Sequence, residues 1–139
     1  MKKIKLLIVL LLFITISMFS QNDQTKLITK LSYSSKSVGV DFGYISDKSI
    51  YQCLSISLPV DDRLPDYFNY GIGYVFDSNF YIMGLAGMCA TPQNDIKLVS
   101  NKQLFSGGAE IGYIYENTLI TSVFYTNSTG IGIKFGFIL

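Results

Sequence analysis

The chain has 139 residues, with eleven Lys/Arg against ten Asp/Glu, and only 15% of its residues are charged. A soluble domain of ordinary composition carries about 25% charged residues, so the deficit, with a mean hydropathy of +0.35, points to surroundings that are partly not water. Histidine is absent and cysteine occurs only twice, which closes Ser-His and Asp-His catalysis and leaves no ligand set for a transition metal.

Met1-Lys2-Lys3-Ile4-Lys5 forms a basic start, and Leu6 to Phe19 an apolar stretch broken only by Thr15 and Ser17, before the polar run Gln21-Asn22-Asp23-Gln24. This is the layout of a cleavable secretory signal, too short to span a bilayer as a helix. The expected division is a signal peptide over residues 1–20 and one domain over 21–139, since 119 residues make one domain rather than two. The mature part then keeps eight Lys/Arg against ten Asp/Glu, a net charge of −2 with no basic run. That excludes the electrostatic footprint of a nucleic-acid binder. No cysteine follows the apolar stretch, which argues against a lipoprotein.

Beyond residue 25 no stretch holds a helical period, and turn residues recur every ten or so positions, as in an all-β domain. Eight strands are expected, at Lys26 to Tyr33, Ser37 to Ile45, Ser49 to Leu58, Tyr67 to Phe76, Phe80 to Ala90, Leu104 to Tyr115, Thr118 to Thr126 and Gly130 to Leu139. Their lengths cluster near the 9–11 residues that a tilted strand needs to cross a hydrocarbon layer. The second, fourth and sixth connections are short: Ser46-Asp47-Lys48, Asp77-Ser78-Asn79 and Glu116-Asn117. Pro59 to Asp66 and Thr91 to Gln103 are long and fall on the third and fifth, as in an up-and-down barrel whose termini share the short-turn end.

Period-two alternation assigns the faces. Val38, Val40, Phe42 and Tyr44 oppose Gly39, Asp41 and Gly43; Phe68, Tyr70, Ile72, Tyr74 and Phe76 oppose Asn69, Gly71 and Gly73. Phe105, Ile111, Tyr113 and Tyr115 oppose Ser106, Gly108, Glu110 and Gly112, and Ile131, Ile133, Phe135, Phe137 and Leu139 oppose Gly130, Gly132, Lys134 and Gly136. The apolar face is expected to meet lipid, with glycines and isolated charges lining a narrow interior. Phe80 to Ala90 is apolar on both faces and yields no assignment. Tyr33, Tyr44, Tyr67, Phe76, Tyr115 and Tyr125 stand at strand ends, the places of interfacial girdles. Cys53 and Cys89 fall on strands that are not neighbours, so two small buried thiols are expected rather than a disulfide.

With these residues in place the chain resembles the small outer-membrane β-barrel proteins of Gram-negative bacteria, and its signal ending in Phe-Ser-Gln looks like those of the Bacteroidota. The C-terminal signal read by the barrel assembly machinery in such proteins has a glycine followed by two aromatics, positions matched here by Gly132, Phe135 and Phe137. Gly130 stands where a polar residue is usual, and Ile138-Leu139 extend past the last aromatic. The resemblance implies an eight-stranded antiparallel up-and-down transmembrane β-barrel in the outer membrane. It also implies monomeric contact with outer-membrane lipid, and contact with the assembly machinery during insertion. Members serve as structural barrels, adhesins, narrow pores or lipid-modifying enzymes, so the fold alone selects no function.

Lys30, Asp41, Glu110 and Lys134 all fall on the face opposite the apolar stripe. The first and last strands of a closed barrel are neighbours, so Lys30 and Lys134 come close together, with Asp41 one strand beyond. An uncompensated charge in a narrow lumen is costly, so a salt-bridge network is expected. Asp61-Asp62-Arg63-Leu64-Pro65-Asp66 lacks the spaced oxygen ligands of a calcium loop. Gly107-Gly108 and Gly71-x-Gly73 are not phosphate cradles, since neither opens a helix, and no metal or cofactor is expected. Loops 59–66 and 91–103 are the candidates for a surface partner. The leading expectation is a non-enzymatic envelope protein with a plugged or very narrow lumen. The alternatives are a small-solute or ion pore, and a soluble secreted β-sandwich or lipocalin-like binder whose apolar face points inward.

Overall fold

The computed structural model describes residues 26–61, 65–89 and 104–139. The expected signal segment 1–20 and the connection 91–103 lie outside the described residues, as does the tip of the 59–66 loop at 62–64. Eight strands run in order: β1 Lys26–Ser34, β2 Ser37–Ile45, β3 Ile50–Pro59, β4 Tyr67–Val75, β5 Phe80–Cys89, β6 Phe105–Tyr115, β7 Leu119–Thr126 and β8 Gly130–Ile138. Each pairs antiparallel with the next, and β1 pairs antiparallel with β8, so one sheet closes on itself. Closure excludes the two-sheet sandwich and leaves no free edge strand.

Local chemistry sets the turns. Ser49 and Asn79 have φ of 60° and 64°, and each donates its backbone N–H three residues back, to Ser46 and Phe76. These are three-residue hairpin loops with a left-handed last residue. Glu116 and Asn117 both have positive φ, 47° and 56°, and Thr118 N–H donates to the Tyr115 carbonyl; that is a two-residue type I′ turn, whose twist matches the flanking strands. These three turns and the strand termini Lys26 and Ile138 define the turn end of the barrel. The connections after β1, β3, β5 and β7 define the loop end.

Outward positions are large and apolar. Leu31, Leu54, Ile72, Ile82, Ile111, Val123, Ile133 and Phe135 are all exposed, a belt that water would not tolerate as a monomer surface of this extent. Tyr33 and Tyr125 stand exposed toward the loop end, and Tyr44, Phe76 and Tyr115 toward the turn end. Tyr67 corrects the expected girdle: it is 4% exposed and points inward. It shares parity with Asn69, Gly71 and Gly73, and strand parity overrides the tendency of aromatics to mark strand ends. The doubly apolar β5 resolves into inward Tyr81, Met83 and Leu85 and outward Phe80, Ile82 and Met88. Cys53 and Cys89 lie on β3 and β5 and are not bridged to each other; Cys53 is buried and Cys89 half-buried.

Candidate functional site

Parity turns Lys30 of β1, Asp41 of β2, Glu110 of β6 and Lys134 of β8 into the barrel, where each is at most 2% exposed. Lys30 and Asp41 are register partners across β1 and β2. Strand tilt brings the β6 and β8 residues to the same height. The four groups form an alternating ring. Lys134 Nζ lies 2.6 Å from Asp41 Oδ2 and 2.7 Å from Glu110 Oε2; Lys30 Nζ lies 3.5 Å from Asp41 Oδ2 and pairs closely with Glu110 Oε1. Each ammonium touches both carboxylates, and the quartet is neutral as a whole.

Further donors hold the carboxylates. The Ser55 hydroxyl donates to Asp41 Oδ1 at 2.6 Å, the Ser122 hydroxyl to Glu110 Oε1 at 2.9 Å, and the Tyr81 hydroxyl to the same oxygen at 2.5 Å. Ser55 is the register partner of Asp41 and Ser122 that of Lys134, so the ladder places these serines without long side chains. Aromatic faces complete the cage: Lys30 Nζ is 5.0 Å and 5.4 Å from the ring centres of Tyr51 and Tyr81, and Lys134 Nζ 4.8 Å from that of Phe124. Such contacts are worth most where water is excluded.

Glycine makes room for these side chains. A Cβ on Gly112 would sit 2.5 Å from the Tyr81 hydroxyl oxygen and overlap its ring, and one on Gly132 would overlap the Phe124 ring. On Gly136 it would lie 2.6 Å from Lys30 Cγ. The lumen therefore holds long side chains laid across bare backbone on the neighbouring strand.

The interior changes character along its axis. Toward the turn end Ile28, Ile45, Tyr51, Ile114 and Ile120 are buried, with Val75 and Ile138 packed against them. Toward the loop end the buried residues are mostly small and polar, namely Ser32, Ser34, Ser37, Ser57, Asn69, Ser106, Thr126 and Thr129, with the ring of Tyr67 among them. Hydroxyls pair among themselves there, Ser34 with Ser37 at 3.0 Å and Thr126 with Thr129 at 2.7 Å. A lipocalin-like binder would need the reverse, an apolar cup beneath its loops.

Of the residues singled out from sequence, Lys30, Asp41, Glu110 and Lys134 are brought together. Gly132, Phe135 and Phe137 lie on β8, the first buried and the two aromatics exposed on the outer face. Ser55, Tyr81, Ser122 and the rings of Tyr51 and Phe124 are parts of the site that sequence reasoning missed. Parity alone could have found Ser55 and Ser122, which share a face with charged residues of the adjoining strands. Tyr81 lay in the segment whose two faces were indistinguishable.

No protein-family model matches the chain, and no curated protein matches it. Among solved structures it is similar to a chain described as "De novo design of transmembrane beta-barrels", with a TM-score of 0.50 and 15% identity over 86% of this chain and 96% of that one. At that identity the likeness is one of fold. The chain is a closed eight-stranded antiparallel β-barrel that resembles a designed transmembrane barrel.

Proposed function

We propose that this is a non-enzymatic integral protein of the outer membrane of a Gram-negative bacterium. In this reading residues 1–20 export it, its lumen is closed, and its role is structural or one of surface contact through loops 59–66 and 91–103. One observation carries the reading: the outward residues form an apolar belt, while the inward ones converge on a neutral, ion-paired charge quartet above a floor of isoleucines. A lumen filled in this way offers no aqueous path. Gly132, Phe135 and Phe137 would be read by the assembly machinery, and lipid would be the partner of the belt in a monomer.

The test is fractionation of a Gram-negative host expressing the full chain, followed by gels with and without boiling and by planar-bilayer recording. The expected result is an outer-membrane band whose mobility shifts on boiling, with no unitary conductance. A protein extracted by carbonate would overturn the membrane assignment, and regular conductance steps would overturn the closed lumen.

A second reading, a small-solute or ion pore, is favoured by one feature of the quartet. Each ammonium already contacts both carboxylates, so partners can exchange without baring a charge. Under this reading Lys134→Ala raises single-channel conductance; unchanged conductance with lost thermal stability sinks it.

A further inference from the structure

Seven of the eight strand pairings join consecutive strands, whereas β1 and β8 meet only when Ile28 finds Ile138 and Ser34 finds Gly132, from opposite ends of the domain. Loop-closure entropy rises with the length of chain to be closed, and contacts distant in sequence form after local ones. The β1–β8 seam is therefore the last pairing to form. Backbone hydrogen bonds drive it but carry no register information, since every residue offers the same N–H and C=O. Of the outward side chains across the seam, Leu31 opposite Phe135 and Tyr33 opposite Ile133 are large and apolar, and Thr29 opposite Phe137 adds a single hydroxyl without a charge. A slip by two residues preserves inward and outward parity, so neither backbone nor belt rejects it.

The charges do discriminate. Lys30 and Asp41 belong to the β1–β2 side of the seam and Glu110 and Lys134 to the β6–β8 side, so each side carries one neutral pair before closure. Closure adds the crossed pairs Lys30–Glu110 and Lys134–Asp41. The crossed pair of Asp41 is also its closer one, 2.6 Å to Lys134 against 3.5 Å to Lys30. A two-residue slip would displace Lys134 by about 6.6 Å along β8, at roughly 3.3 Å per residue, and break both crossed contacts.

We propose that the quartet is a closure latch: two neutral half-sites that recognise one another across the β1–β8 seam, fix its register and complete the barrel. The device concerns assembly, and it holds whether the finished lumen is closed or conducts.

Charge inversion on one side isolates it. Lys30→Asp with Asp41→Lys keeps net charge and the same-side pair, but sets Asp against Glu110 and Lys against Lys134. Glu110→Lys with Lys134→Glu inverts the other side, and the two inversions together restore every attraction. Closure is read by disulfide trapping of Tyr33→Cys with Ile133→Cys, register partners across the seam. A control pair, Phe68→Cys with Met88→Cys, reports the β4–β5 hairpin. Both are placed in a chain carrying Cys53→Ala and Cys89→Ala and folded from urea into dilauroylphosphatidylcholine vesicles.

The expected result is that one-sided inversion slows the seam disulfide by about tenfold or more, as lost attraction in a rate-limiting step requires. The hairpin disulfide keeps its rate, and the double inversion recovers the seam. The latch is overturned if one-sided inversion closes at the parent rate, if it slows the hairpin equally, or if the double inversion brings no recovery.

Discussion

Removing a single charge from the quartet leaves its partner buried without compensation, a loss of about 3–5 kcal/mol in ordinary protein interiors. Removing one supporting donor costs less. Tyr81→Phe keeps the ring over Gly112 and under Lys30 but deletes the hydroxyl that donates to Glu110. We expect a loss of about 1.5–3 kcal/mol, the range for a hydrogen bond to a charged group, measured by reversible urea unfolding in vesicles. Gly112→Ala should cost about 1–3 kcal/mol by overpacking, and Tyr81→Leu in the same chain should recover part of it. If the alanine is neutral on its own, the ring does not rest on that glycine. The four charges were legible in the sequence because each interrupts an otherwise apolar and glycine-rich alternation. Tyr81 was not, because Tyr81, Met83 and Leu85 on one face and Phe80, Ile82 and Met88 on the other give parity nothing to separate.

At the level of elements, the strands were readable because every one ends in turn chemistry, and lengths followed from there. The structure moves limits only slightly, with β3 ending at Pro59 and β7 starting at Leu119. Face assignments failed where a rule of thumb about strand ends competed with parity, as at Tyr67. The Glu116-Asn117 turn places a glutamate at φ 47°, where a side chain without local hydrogen-bonding habits pays a left-handed penalty of about 1–2 kcal/mol. Asparagine tolerates that conformation and suits the first position of a type I′ turn. Glu116→Asn should therefore raise stability by about 0.5–1 kcal/mol while leaving the bond from Lys26 Nζ to Asn117 Oδ1 in place. No gain in the urea midpoint at constant slope would count against the assigned turn.

For the whole molecule, the belt makes a depth-dependent prediction. Ile111 is exposed on the outer face beside Glu110, at the height of the quartet, whereas Tyr125 stands nearer the loop end. In a bilayer-spanning barrel Ile111→Arg should cost about 2–4 kcal/mol and Tyr125→Arg about 0–1 kcal/mol, both read from folding equilibria in vesicles. Equal and small costs at the two sites would mean that the belt does not sit in hydrocarbon. Register could not be read from sequence, because it depends on the summed stagger of eight pairings; only the closed sheet shows that β6 and β2 stand face to face across the lumen.

The change of lining along the axis has an electrical meaning. On the closed-lumen reading proposed above, an ion entering from the loop end passes hydroxyls, then two ammoniums and two carboxylates, then Ile28, Ile45, Ile114, Ile120 and Ile138 with the neutral phenol of Tyr51 beside them. These segments act as resistances in series, and the last, where an ion sheds its hydration against hydrocarbon, is far the largest. A voltage applied across the barrel accordingly drops over a few ångströms at one end, leaving the charges nearly at the potential of the other side. On that closed-lumen reading, the substitutions that make this protein leak are polar ones among those isoleucines, and altering the charges alone deepens a blind recess.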